Sequence, residues 1–133
     1  MCRIEPPLQT AAQNAYAANL YTRIGEAVML QRVEVNLGGW RPKENECHLN
    51  ASEIYHRNAA YEPVRGWLYF DFDGKLDRVQ FVSHSAVRTP DGQLCDVTPS
   101  NASREYPFIP ALETEEEYSA LVEGGATRLW HIK

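Results

Sequence analysis

Three β-forming runs stand between residues 64 and 98 with very little chain between them. Val64 to Phe72 is followed by the turn signal Asp73-Gly74, then Val79 to Arg88 and Leu94 to Thr98. Connections this short join antiparallel neighbours, since a parallel pair needs a crossover of about a dozen residues or more. The spacing predicts an antiparallel meander on which the rest of the chain must pack.

The second turn decides which side chains of that meander meet. It reads Thr89-Pro90-Asp91-Gly92-Gln93. Proline suits the first corner of a type I turn, and glycine suits the left-handed position that completes a bulge. In that register Thr89 pairs with Gln93, Ala86 faces Asp96, and His84 faces Thr98. His84 and Asp96 become diagonal neighbours on one face, about 7–8 Å apart at Cα and closer at the side chains. A two-residue turn at Asp91-Gly92 would instead slip the register by one and send them to opposite faces.

Helices flank the meander. Leu8, Ala12, Ala15, Tyr16, Leu20 and Ile24 recur at helical spacing over 8–24, with Gly25 placed to close the helix. Val33, Val35 and Leu37 alternate, predicting a strand within 28–37, and Gly38-Gly39-Trp40-Arg41-Pro42 is a loop. A helix running to about residue 60 follows, capped by Asn50 with Glu53 or by Ser52. Pro99, Pro107 and Pro110 mark a long irregular connection after the meander. Thr114 with Glu117 is a second capping box, opening a helix that ends at Gly124-Gly125, and Thr127 to Ile132 is a last strand. No repeat, low-complexity tract or linker interrupts the chain. Residues 1–133 therefore predict a single α+β domain, an antiparallel β-meander packed against an N-terminal and a central helix.

Composition narrows the function classes. With 133 residues, 44% hydrophobic and 23% charged, the chain is long enough to bury a core. A net charge of −5 argues against a nucleic-acid partner, which would call for a basic surface. No apolar stretch reaches membrane-span length, and the N-terminal Met1-Cys2-Arg3-Ile4-Glu5-Pro6-Pro7 lacks the apolar core of a signal peptide. The expectation is a cytoplasmic protein without a membrane partner. Cys2, Cys47 and Cys95 include no Cys-x-x-Cys pair, so they suggest neither a disulfide framework nor a zinc ribbon. Asn50-Ala51-Ser52 and Asn101-Ala102-Ser103 match the glycosylation pattern, but without a secretory signal they read as chance matches.

Three residues carry candidate chemistry. Cys47 falls just before or within the first turn of the central helix, where the helix dipole and free N–H groups lower a thiol's pKa. His84 lies mid-strand between two serines. Asp96 lies in a strand, where aspartate is disfavoured and needs a reason. Singly, each has an ordinary structural reading: a small buried cysteine, a packed histidine, a hairpin-end aspartate. Together, in the bulged register, they supply a nucleophile, a base and an orienter. His48 follows Cys47 directly and is a possible second base or metal ligand, although neighbouring helical residues do not face the same way. Trp40, Asn45 and His48 are the candidates for an oxyanion donor or groove wall. Trp67 reads as core, His56 as helix surface, and His131 as outside the site.

The order and element types of these residues resemble the core of papain-like and transglutaminase-like cysteine enzymes. In those families a nucleophilic cysteine begins a helix, and the histidine and aspartate or asparagine follow on successive strands. The stretch from His84-Ser85-Ala86-Val87 to Asp96-Val97-Thr98-Pro99 is similar to the transglutaminase-like pattern of a histidine strand, a glycine turn and an Asp-x-Thr strand. The resemblance covers roughly residues 40–100. It departs at Arg41, which occupies the region of the glutamine that papain-like enzymes place before the cysteine. What it implies is a cysteine-dependent acyl-transfer enzyme (peptidase, amidase, deamidase or transglutaminase), with a peptide or protein amide as substrate and no cofactor. Two alternatives remain open at this point. Cys47, His84 and Asp96, with or without His48, could instead be zinc ligands of a hydrolase, or the chain could be a non-catalytic binding or inhibitor protein.

Overall fold

The computed structural model describes residues 8–100 and 105–133. Cys2 and the Asn101-Ala102-Ser103 sequence lie outside them. The elements run α1 (Ala11–Thr22), β1 (Val28–Met29), β2 (Gln31–Arg32), α2 (Cys47–Arg57), β3 (Glu62–Phe70), β4 (Arg78–Arg88), β5 (Leu94–Asp96), β6 (Pro107–Pro110), α3 (Glu115–Glu123) and β7 (Arg128–Ile132). The protein is of mixed α+β class.

The meander forms as its turns dictate, with β3–β4 and β4–β5 antiparallel. It is the centre of a larger sheet ordered β1-β6-β3-β4-β5-β2, in which β7 also pairs with β4. The β2–β5 pair is parallel, so the sheet is mixed. Its two outermost strands, β1 and β2, are separated in sequence by Leu30 alone. Opposite edges of the sheet are therefore brought together, and the sheet curls until it is nearly closed.

Alternation along β3 and β4 separates an outer from an inner face. Trp67 and Phe81 point outward and are fully buried with Leu20 of α1, Tyr118 of α3 and Leu129 of β7. Ala86 points inward with Leu30 and Phe108, beside Val64 and Leu68. A third cluster places Ala51 and Ile54 of α2 on Val87 and Val97. Gly66 is needed where β6 crosses β3, since a Cβ there would stand 2.3 Å from the Ile109 carbonyl oxygen and 2.6 Å from the Phe108 ring.

Several expectations need correction. The run over 28–37 forms two short strands, and Val33 to Leu37 lies outside both, because Val35 and Leu37 pack under α2 instead. The proline-rich connection contains β6, whose Phe108 and Ile109 are buried inside the sheet. Proline is tolerated at both ends of so short a strand. Gly25 lies within a 3-10 turn after α1, while Thr10 and Gln13 form a capping box at its start. The box at Thr114 and Glu117 is present as expected.

Candidate active site

One edge of β4 is shared between two partners. β7 pairs with it over Arg78–Val82, and β5 pairs at Val87 and Arg88. Between them, residues 84–86 have no strand partner on that edge among the described residues. The cysteine end of α2 meets the inner face at this gap.

α2 begins at Cys47, after a loop in which Asn45 takes a left-handed conformation (φ 61°). Neither expected cap is used, and the N-cap Glu46 makes no side-chain cap bond. Asn50 lies inside the helix with its side chain committed elsewhere. Its Oδ1 accepts from the Lys43 N–H at 3.0 Å, and its Nδ2 donates to the Lys43 carbonyl at 2.8 Å and to Thr98 Oγ1 at 3.0 Å. The loop before the cysteine is thereby pinned to the segment after Asp96. The uncapped first turn also leaves backbone N–H groups beside Cys47.

The hairpin adopts the bulged turn. The Gly92 N–H donates to the Thr89 carbonyl at 2.9 Å, the Thr89 N–H donates to the Gln93 carbonyl at 2.9 Å, and Gly92 has φ 90°. Val87 faces Cys95 and Arg88 faces Leu94, the expected register. As a result His84 Nε2 lies 3.2 Å from Asp96 Oδ1, with both side chains largely buried. The contact has ion-pair distance but is off hydrogen-bond alignment, so Nε2 has no aligned partner among the described residues. Catalytic contacts are often loose in unliganded sites and tighten around substrate. Asp96 Oδ1 also accepts from the Thr98 N–H at 3.2 Å, which fixes the carboxylate.

Charge follows from this arrangement. Burial pushes the Cys47 thiol up, but hydrogen bonds and charge from His48 and His84 outweigh it and bring the thiol down to about 6. Burial pushes the His84 imidazole down, yet hydrogen bonding and charge from Asp96 and Cys47 raise it to about 9. These opposite shifts favour a thiolate–imidazolium pair at neutral pH. Burial moves Cys95 the other way, raising its thiol. Tyr118 is raised as well, first by burial and then by the neighbouring Cys47 charge.

Cys47, His84 and Asp96 line one cleft of about 790 Å³. Leu30, Leu68 and Val82 form an apolar lining, and Arg32, Arg128, Glu44 and Glu105 also border the cleft. Asn45 borders it too. Trp40 does not. It packs beneath the Arg57 guanidinium, 5.1 Å from ring centroid to Cζ, on a separate depression. Its indole is drawn into the α2 cluster with Val35 and Leu37, so the structure places it away from the groove. The His48 ring turns toward β4, with Nδ1 2.5 Å from Ser85 Oγ. Trp67 is core, with Nε1 donating to the Tyr16 hydroxyl at 3.1 Å. His56 is exposed, and His131 packs at a tilt against Tyr21 with ring centroids 4.6 Å apart.

Among the described residues, no three or more His, Cys, Asp or Glu side chains converge as a metal-ligand set. None of the helices among those residues is long and apolar enough to cross a membrane. Sequence reading missed Asn50, Thr98, Ser85 and Arg65. The pairing of Asn50 with the Asp-x-Thr segment left only a faint signal, a polar amide on the buried side of an amphipathic helix. No family model, no curated protein and no solved structure matches this chain.

Proposed function

We propose that this protein is a cysteine-dependent acyl-transfer enzyme acting on a peptide or protein amide, built on a papain-like or transglutaminase-like core. The observation that carries the reading is the ordered run of a helix-start thiol with depressed pKa, an imidazole with raised pKa and a partly buried carboxylate 3.2 Å from that imidazole. Nε2 of His84 faces Asp96, which leaves Nδ1 for the thiol proton.

Cys47 sulfur attacks the amide carbonyl carbon, its proton having passed to His84. Negative charge then develops on the carbonyl oxygen, and the uncapped N–H groups of the first turn of α2 are available to donate to it. His84 returns the proton to the departing amine as the carbon–nitrogen bond breaks, leaving a thioester on Cys47. Water or an acceptor amine attacks the thioester, loses its proton to His84, and frees the thiol. Asp96 holds the imidazole and balances its charge throughout. The chemistry is complete with these side chains and requires no cofactor. It needs a reduced thiol, which a cytoplasmic location maintains.

An activated acyl ester tests this directly. Incubation with N-acyl amino-acid aryl esters should add one acyl mass to Cys47, read by peptide mass spectrometry. The adduct should be absent in Cys47→Ala and form much more slowly in His84→Ala. Acylation at the same rate in His84→Ala, or spread evenly over the cysteines, contradicts the reading.

A further inference from the structure

On the outer face of the sheet lies a polar array that the acyl-transfer scheme leaves unused. Arg65 of β3 faces Ser85 of β4 across the ladder, beside the facing pair Gly66 and His84. Successive side chains alternate, so Arg65 and Ser85 point outward where His84 points inward. Arg65 donates from Nη1 to Ser85 Oγ at 2.8 Å and to the His48 carbonyl at 3.0 Å, and from Nη2 to Ser52 Oγ at 2.8 Å. Its Nε pairs with Glu115 of α3 at 2.9 Å. A single nitrogen, Nη1, therefore bridges the residue after the nucleophile and the residue after the base.

This arginine differs from a surface ion pair. Its side chain is 13% exposed, whereas that of Glu115 is 64% exposed, so the carboxylate is well solvated and holds it weakly. Burying the guanidinium is costly unless its donors are met, and the partners that meet them belong to the two elements carrying the reacting groups. Ser85 is fully buried in β4. His48 and Ser52 lie in the first two turns of α2, which has no side-chain cap to fix its start. The planar guanidinium sets the angles between these acceptors. A lysine ammonium, a point charge on a flexible stem, sets none.

We propose that Arg65 is a positioning residue of the acyl-transfer site: its guanidinium fixes α2 against β4 and so holds the Cys47 thiol in reach of the His84 imidazole. The proposal rests on the acyl-transfer reading. Arg65 lies outside the cleft and acts through the neighbours of the reacting groups. Small displacements matter here, since a misplacement of about 1 Å can cost on the order of a hundredfold in rate.

The alkylation rate of Cys47 against pH, measured on the folded full chain, tests this. Arg65→Lys keeps the charge and loses the fork. The Cys47 midpoint should rise by about one unit from its value near 6, making labelling at pH 6 about fivefold slower. An unmoved midpoint in folded Arg65→Lys overturns the proposal. Glu115→Gln can still accept from Nε and should keep the parent midpoint. A rise matching that of Arg65→Lys would make the docking of α3 the cause and overturn the proposal. If Arg65→Lys does not fold, Ser85→Ala takes its place by cutting the arm to β4. Its midpoint should also rise, and no rise overturns the proposal. A double-mutant cycle supplies what a loss of stability alone would not produce. In a His84→Ala background Arg65→Lys should add no further rise, because no imidazole is left to misplace. A full further rise would mean that the guanidinium acts on the thiol directly, and overturns the proposal. If His84→Ala by itself leaves the midpoint unmoved, the acyl-transfer reading fails and this proposal with it. If His84→Ala moves it and Arg65→Lys does not, this proposal alone fails.

Discussion

Asn50 Nδ2 donates to Thr98 Oγ1 at 3.0 Å, joining the cysteine helix to the segment that carries Asp96. Thr98 in turn donates its N–H to Asp96 Oδ1, and Asp96 faces His84. The geometry of the site is thus held by a polar chain that starts three residues after the thiol. Asn50→Ala should cost about 1–3 kcal/mol in urea unfolding, because it strips partners from Lys43 and Thr98. The folded fraction should also alkylate Cys47 more slowly. Normal labelling with normal stability would show that Asn50 positions nothing.

Asp96 separates orientation from packing. Asp96→Asn preserves volume and can keep the bond from the Thr98 N–H, so it should fold near-normally. It removes the charge that raises His84, so Cys47 labelling at pH 6 should slow. Asp96→Leu should slow it further, about fivefold for the first one-unit rise in the thiol midpoint above 6 and about tenfold for each unit after that. If Asp96→Leu unfolds the protein while Asp96→Asn labels at the normal rate, Asp96 is structural.

Gly66 faces His84 across the β3–β4 ladder, and its carbonyl accepts from the Tyr118 hydroxyl at 2.7 Å. Gly66→Ala should destabilise by about 3 kcal/mol or more, since the Ile109 carbonyl is backbone and cannot swing aside. Chemical denaturation checks this. Gly92→Ala should cost only about 1–2 kcal/mol, the strain of a left-handed backbone in open space.

Much of the site was legible because turn chemistry is local. Pro90 and Gly92 set the bulge, the bulge set the register, and the register put His84 and Asp96 on one face. The Thr114 box could be read for the same reason. Strand β6 could not, because what holds Phe108 is Gly66, a contact forty-two residues away in sequence with no local trace. The start of α2 was misjudged because Asn50 looks like a cap until Thr98 is beside it. Trp40 looked like a groove residue until Arg57 covered it. His48 was named as a possible second base or groove residue, but its place against a buried serine on β4 left no trace in helical spacing.

The paired titration has a consequence for stability. His84 has its raised pKa only in the folded state, so its contribution is full below about 6.5 and is lost as pH rises through about 9. Cys47 has a depressed pKa, so its contribution is full above about 9 and is lost as pH falls through about 6. In the intact protein the two trends oppose each other between these limits. Cys47→Ala removes the opposing trend together with part of what raises His84, so that variant should lose stability as pH rises above 6.5, over a window that ends below 9, more steeply than the parent over the same range. A shallower fall, followed by urea midpoints across pH, would contradict the assigned pairing.

The most direct measurement is the alkylation rate of Cys47 against pH, resolved by peptide mass spectrometry, in the parent and in His84→Ala. The parent should reach half its maximal rate near pH 6, with Cys95 responding only at much higher pH. His84→Ala should move the Cys47 midpoint up toward that of an ordinary thiol, about 8.5. A Cys47 midpoint already near 8.5 in the parent, unmoved by the loss of His84, would contradict an activated nucleophile.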